Sequence, residues 1–211
     1  MNAILKEQIL SGDYGFDYKQ SFSRNIGWVT EAEQKQIRKT KVAIGGLGGV
    51  GGSHLKALVR MGFEYFNIAD LDDFDYSNFN RQDGANVDTV GLPKAEVSKE
   101  SCLKINPNCK INLFDEGITE ENIDSFLDGV DVYIDSLDIF AVEVRRLVFR
   151  KAKEKGIAAF TCAPLAMGGS FLAFTKNSMS FDDYFGFTSP DIEILNRLKD
   201  DPRAQFLYRV Q

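Results

Sequence analysis

Short apolar runs alternate along the chain with stretches in which apolar residues recur at helical spacing, a pattern that predicts strands interleaved with helices. VAI at 42–44, YFNIA at 65–69, CKINLFD at 109–115, DVYIDS at 131–136, IAAFTC at 157–162 and GSFLAFT at 169–175 read as strands. Between them, helices are expected from Thr30 to about Lys39, from the SHLKALVRMG stretch to Gly62, and over 94–105, 119–127 and 140–156. Local punctuation agrees. Thr30 with Glu33 three residues later makes a capping box, Pro93 suits a first helical turn, and Asn106-Pro107 stops the helix before it. Strand and helix in regular alternation imply the α/β class: a Rossmann-like, doubly wound, mostly parallel sheet with helices on both faces. Residues 1–20 lack a period and read as an N-terminal arm, 21–180 as the nucleotide-binding domain, and 181–211 as an acidic helical tail. Ile192, Leu195 and Leu198 place an apolar stripe on that tail.

The first strand breaks into glycines, KVAIGGLGGVGG at 41–52, and continues as a helix. Gly46, Gly48 and Gly51 match the G-x-G-x-x-G spacing that lets backbone approach a phosphate at a helix N-terminus, where aligned N–H groups favour an anion. Glycine clusters also make ordinary tight turns, so this pattern alone is weak. Asp70 closes the second strand about 20 residues on, where a doubly wound fold keeps an acid for ribose hydroxyls; a solvated acid is the plainer alternative. LDDFDYSNFNRQ at 71–82 is too turn-rich for a regular element yet dense in donors and acceptors. Lys94 opens a helix whose macrodipole it opposes, which is either a solvated lysine or a sign of a nearby anionic ligand. Asp138 follows the fourth strand. Open α/β sheets bind ligands at the carboxyl ends of their strands, so Asp70 and Asp138 are expected to face one crevice.

Composition narrows the classes. The 211 residues suffice for one α/β domain with a full core. With 25 Lys and Arg against 31 Asp and Glu, the net charge of −6 offers no general attraction to nucleic acid or an anionic membrane. No apolar run approaches the roughly 20 residues of a membrane helix, and the charged MNAILKEQIL start is unlike a signal peptide, so a cytoplasmic protein is expected. Cys102, Cys109 and Cys162 are scattered, which suits reduced thiols rather than a disulfide framework or a zinc clasp.

GGLGGVGG, the strand-end Asp70, SNFNRQ, LPK and DSLD, in this order and spacing, resemble the ThiF/MoeB-like adenylyltransferase family, to which ubiquitin-activating enzymes also belong. The resemblance spans residues 21–175. It implies activation of a carboxylate by ATP and Mg²⁺, usually the C-terminal glycine of a ubiquitin-like or sulfur-carrier protein, as an acyl adenylate with loss of pyrophosphate. Carried over by position, the phosphate loop falls on Gly46, Gly48, Gly49 and Gly51, and the ribose acid on Asp70. The phosphate-contacting trio falls on Asn78, Arg81 and Gln82, the family lysine on Lys94 and the magnesium-linked acid on Asp138. Arg24 resembles the N-terminal arginine that homodimeric members insert into the partner's site.

Three departures qualify the resemblance. SFDDYFGF stands where many members carry a C-x-x-C zinc motif, so zinc is not expected. None of the three cysteines maps onto the residue with which some members form a thioester. The chain ends at Gln211, so the substrate-binding extension of larger relatives is expected to be either absent or replaced by the acidic helical tail. Other readings stay open. A dehydratase of the same family adenylates a carboxylate on modified tRNA to drive ring closure, which the acidic balance disfavours. A catalytically silent half of a heterodimeric enzyme would lack its own chemistry. An NAD-dependent oxidoreductase would suit the glycines and Asp70, but not SNFNRQ, Lys94 and Asp138.

Overall fold

A computed structural model describes residues 15–165 and 167–187. The strands are β1 (Lys41–Gly45), β2 (Tyr65–Ala69), β3 (Lys110–Phe114), β4 (Val132–Asp135), β5 (Ala158–Leu165) and β6 (Gly168–Phe174), joined in one sheet in the order β3-β2-β1-β4-β5-β6. The first five run parallel and β6 pairs antiparallel to β5. The helices are α1 (Tyr18–Ser21), α2 (Glu31–Lys39), α3 (Gly49–Met61), α4 (Lys94–Ile105), α5 (Ile123–Phe126), α6 (Val142–Lys155) and α7 (Phe181–Tyr184). The expected mixed, mostly parallel sheet is therefore present.

The central strand shows why its sequence reads as an unbroken apolar run. Val42 and Ile44 enter a core with Leu55, Val59, Phe66, Ile68, Ala95 and Cys102. Ala43 points the other way, into a second core with Phe126, Tyr133, Val148, Phe149, Phe174 and Phe181. A strand covered on both faces cannot alternate apolar with polar. α3 and α4 supply the first cover, α5, α6 and α7 the second.

One element differs from the pattern expected of it. The helix read over 119–127 shrinks to α5, because the Asn122 side chain accepts from Thr119 N at 2.8 Å and donates to Gly117 O at 2.8 Å. Those bonds satisfy backbone groups in a turn that competes with helix. The SFDDYFGF stretch forms α7, capped by Ser180 accepting from Asp183 N at 3.0 Å and anchored by Phe181 stacked on Phe149 at 4.2 Å. Most of the expected arm and the apolar stripe of the tail lie outside the described residues. No helix among the described residues is long and apolar enough to cross a membrane.

Candidate active site at the carboxyl edge of the sheet

Chain direction reverses its order of strand addition at β1: β2 and β3 lie to one side, β4 to β6 to the other. A crevice opens at such a switch point beyond the strand ends, here between the loops that follow β1, β2 and β4. Gly45, Ala69 and Asp135 are in register there.

The loop after β1 is the glycine turn. Gly46 N donates to Ala69 O at 2.8 Å and holds φ at +86°, left-handed backbone that costs glycine nothing. A Cβ on Gly46 would overlap the Ser136 carbonyl, and one on Gly51 would overlap the Gly46 carbonyl. These two glycines let the turn pack against the loop after β4 and against the first turn of α3. Gly48 is different. It is the N-cap of α3, no side chain caps that helix, and its first turn holds no acid. A Cβ on Gly48 would meet only Gln82 Nε2 at 3.8 Å. Free helical N–H groups behind open space are what an incoming anion needs. We therefore expect Gly51→Ala to lose about 1–3 kcal/mol of stability by overpacking. Gly48→Ala should unfold at nearly the wild-type denaturant midpoint but bind ATP at least about tenfold more weakly, its methyl occupying the phosphate's approach. Denaturant melts paired with calorimetric titration separate the two effects.

The loop after β2 is organised by its acids. Asp70 Oδ2 accepts from Leu47 N at 2.6 Å and Oδ1 from Asp72 N at 2.9 Å, so Asp70 ties the two loops together. Each of its oxygens keeps a second acceptor position. Burial pushes the Asp70 carboxyl above its ordinary value, against the two backbone donors and Lys94, which favour the ionised form. Lys94, only 5% exposed, pairs through Nζ with Asp72 Oδ2 at 2.9 Å. The helix end that Lys94 opposes is thus answered by a carboxylate of the chain itself.

The 71–82 stretch contains a 3₁₀ turn, Tyr76–Asn78. Asn78 Oδ1 accepts from Asp75 N at 3.0 Å, closing a capping box with the Asp75 carboxylate on Ser77 N. Asn78 spends its side chain on the loop. Arg81 is exposed, with Nη1 donating to Ser77 O and Asn80 Oδ1, both at 3.0 Å, and its carbonyl lies 3.2 Å from where a Cβ on Gly49 would stand. Gln82 is buried beside the turn, and its Oε1 has no hydrogen-bond partner among the described residues. A buried orphan acceptor is costly unless something fills it.

The loop after β4 carries Asp138, exposed, with Oδ1 accepting from Phe140 N at 2.9 Å. Ser136 N donates to Gly45 O at 2.8 Å, which joins this loop to the end of β1. His54, on α3, comes within 3.4 Å of Ser136 Oγ through Nδ1, and burial lowers its pKa. The edge thus brings together the glycine turn, Asp70, Arg81, Gln82, Lys94 and Asp138.

Arg24 is elsewhere. It lies exposed in a 3₁₀ turn, Ser23–Asn25, whose Asn25 donates to Met61 O at 2.9 Å, at the far end of α3. α3 begins at the glycine turn and rises 1.5 Å per residue, so Met61 is about 18 Å along the axis from Gly49. Two pairs escaped the sequence reading altogether: Asp72 with Lys94, and a buried Asp135 with Arg145. The one available signal was Asp135 itself, a charge inside the apolar run of β4.

Cys102 and Cys109 are buried, and burial pushes both thiols up to about 12. Almost none of either is thiolate at pH 8. Titration of the native protein with an aromatic disulfide at that pH should consume only Cys162, the partly exposed third thiol, until denaturant is added. Early reaction at a second thiol would show that this core opens.

The residues could hold a nucleotide: an uncapped helix N-terminus, an acid with spare acceptor positions and an orphan acceptor lie on the loops after β1 and β2, with a buried cation paired to Asp72 beside them. Among the described residues no trio of His, Cys, Asp or Glu forms a metal cluster. Mg²⁺ beside phosphates needs only one or two protein carboxylates, and Asp138 supplies an exposed one.

Comparison with known proteins agrees with the geometry. The chain is 35% identical over 123 residues to the tRNA threonylcarbamoyladenosine dehydratase of Haemophilus influenzae, covering 58% of this chain and 47% of that protein. It is 32% identical over 116 residues to a probable molybdopterin-synthase adenylyltransferase of Gracilaria tenuistipitata var. liui, covering 55% of this chain and 32% of that protein. The chain thus spans less than half the length of these curated relatives. A crystal structure of the E. coli tRNA N6-threonylcarbamoyladenosine dehydratase in complex with ATP superposes with a TM-score of 0.65 at 30% identity, over 68% of this chain and 58% of that one. The ThiF family model matches residues 22–200, most of the sequence, and the chain belongs to the ThiF family.

Proposed function

We propose that this chain uses ATP to adenylate a carboxylate, releasing pyrophosphate. The observation that supports the reading is that the uncapped α3 N-terminus, Asp70 and Asp138 lie on the loops that follow the adjacent strands β1, β2 and β4 at the sheet's carboxyl edge, with Lys94 paired to Asp72 beside Asp70. A carboxylate oxygen attacks the α-phosphorus. The new P–O bond forms as the bond to the bridging oxygen breaks, and that electron pair leaves with pyrophosphate. A carboxylate is already ionised at neutral pH, so no general base is required. His54, with its lowered pKa, has no step to perform.

Each residue has a task that follows from its chemistry. The first N–H groups of α3 meet phosphate oxygens, and Gly48 keeps the approach open. Asp70 accepts ribose hydroxyls through its spare acceptor positions, and the Gln82 Oε1 orphan takes a donor from the bound nucleotide. Lys94 and Arg81 meet the charge that builds on the phosphate oxygens, a role in which fixed cations lower the barrier. Asp138 would hold Mg²⁺, which would supply neutralisation of phosphate charge there. Asn78 acts by shaping the loop that presents Arg81. Arg24, remote from its own crevice, acts on the partner's site in a two-fold homodimer.

For the substrate, similarity to three tRNA threonylcarbamoyladenosine dehydratases, at 33–36% identity, favours a carboxylate borne by a modified tRNA. The net charge of −6 favours the second candidate, the C-terminal carboxylate of a small carrier protein, because tRNA binding rests on cationic contacts. Exchange of labelled pyrophosphate into ATP, measured with threonylcarbamoyladenosine-bearing tRNA and separately with carrier proteins ending in glycine, tests both. Exchange with either identifies the carboxylate class. Heat protection by NAD but not by ATP with Mg²⁺, without exchange, would replace the reading with an oxidoreductase.

A further inference from the structure

Asp135 is the last residue of β4 and 1% exposed. Its Oδ2 accepts from Arg145 Nε at 2.9 Å and lies 2.7 Å from Nη2 in an ion pair, so the guanidinium fork closes on one oxygen, and its Oδ1 accepts from the Tyr133 hydroxyl at 3.3 Å. Burial beside this carboxylate drives the Tyr133 hydroxyl well above its ordinary pKa, so it stays a donor. With both oxygens committed, Asp135 has a different job from its neighbour Asp138. Arg145 is held in turn by Thr161 Oγ1 on β5, at 3.3 Å from Nη2, and it lies over the Phe181 ring of α7 at 5.3 Å.

Positions 135 and 145 bracket the loop that carries Asp138. One end of that loop is tied by Ser136 N to Gly45 O, and the other by Ala141 N to Asp138 O at 2.9 Å and Arg145 N to Ala141 O at 3.1 Å. A buried ion pair contributes little net stability, since apolar side chains of similar volume hold a helix to a sheet about as well. What the fork adds is direction. One N–H···O bond and one short ion-pair contact on the same oxygen fix the rotation and axial register of α6 against β4, and a slip of one residue, about 1.5 Å, would break both.

We propose that the Asp135–Arg145 pair is a positioning device for the Asp138 loop, setting where that carboxylate meets a metal-bound nucleotide. The proposal rests on the adenylation reading for its functional half only; the mechanical half is independent of any ligand. Arg145→Lys keeps the charge and loses the fork. In this variant the amides of Ser136, Phe140 and Ala141 should exchange with deuterium at least about tenfold faster, while those of β1 and β2 stay within about threefold of wild type. Separately, the gain in ATP affinity that Mg²⁺ brings over EDTA should shrink about tenfold, with Mg²⁺-free ATP binding nearly unchanged, as for other groups that orient a metal ligand.

Unchanged loop exchange, or acceleration shared equally by β1 and β2, would overturn the proposal and leave the pair as general support. Should wild type bind no ATP while the loop responds as expected, the adenylation reading fails and the positioning role survives without it. A loosened loop that keeps its full Mg²⁺ gain would sever the pair from the nucleotide site and overturn the functional half. If Arg145→Lys does not fold, Thr161→Val, which removes only a hydroxyl holding Arg145, should give the same loop-specific pattern at about threefold, and its absence would overturn the proposal equally.

Discussion

Asp138→Ala is expected to reduce ATP–pyrophosphate exchange by roughly 100- to 1,000-fold, equivalent to about 2.7–4 kcal/mol of transition-state stabilisation, while the protein unfolds at its usual temperature. The site makes both halves of that result follow. Asp138 is exposed, and its side chain accepts from Phe140 N within its own loop, so truncation disturbs no core. The expected loss is electrostatic, that of a carboxylate on the loop beyond β4. Lys94→Ala should lose activity to a similar degree but with a stability cost, because it leaves a cavity at a buried position and strips Asp72 of its partner. Exchange rates for both variants, each with a substrate that supports exchange in wild type, give the comparison. Asp138→Ala activity within about threefold of wild type would remove it from the mechanism.

The strands were legible because each is a short apolar run bounded by turn residues, and β1 is buried on both faces, which erases any alternation. The helix over 140–156 was also plain, and α6 occupies most of it. The helix expected over 119–127 misled because propensity cannot weigh the bonds that Asn122 makes to Thr119 and Gly117. Within the site, the glycine turn, Asp70 and Asp138 stood out because each sits at a strand end, where position in the pattern already implies location in space. Asp72 with Lys94 spans 22 residues and two loops, so its signal exists only after the chain has folded. The same holds for the orphan acceptor of Gln82, which becomes unusual only once burial removes water from it. Lys94 is instructive in both respects. Its placement against the helix dipole was visible and pointed to an anionic ligand, but the anion it pairs with in the chain is Asp72.

Arg24→Ala should abolish exchange at least as thoroughly as loss of Asp138, since a fingered arginine at a phosphoryl transition state is worth about 10³–10⁵ in rate. Geometry decides in whose site it works. Arg24 stands beside the Met61 end of α3, and the glycine turn is at the other end, about 18 Å away along the helix, farther than an arginine side chain extends. The same turn presents Ile26 at 46% and Trp28 at 93% exposure, large apolar surface of the kind that pairs with another chain. A two-fold dimer in which each Arg24 enters the partner's crevice accounts for both facts. Mixing two inactive variants reads out the arrangement directly. Random reassortment of Arg24→Ala with Asp138→Ala subunits makes about half of the dimers mixed, and each mixed dimer holds one intact composite site and one site lacking both groups. About a quarter of wild-type exchange should return, rising with the fraction of mixed dimers captured by separate tags on the two subunits. If tagged mixed dimers form and stay inactive while both parents are folded, Arg24 does not act across the interface.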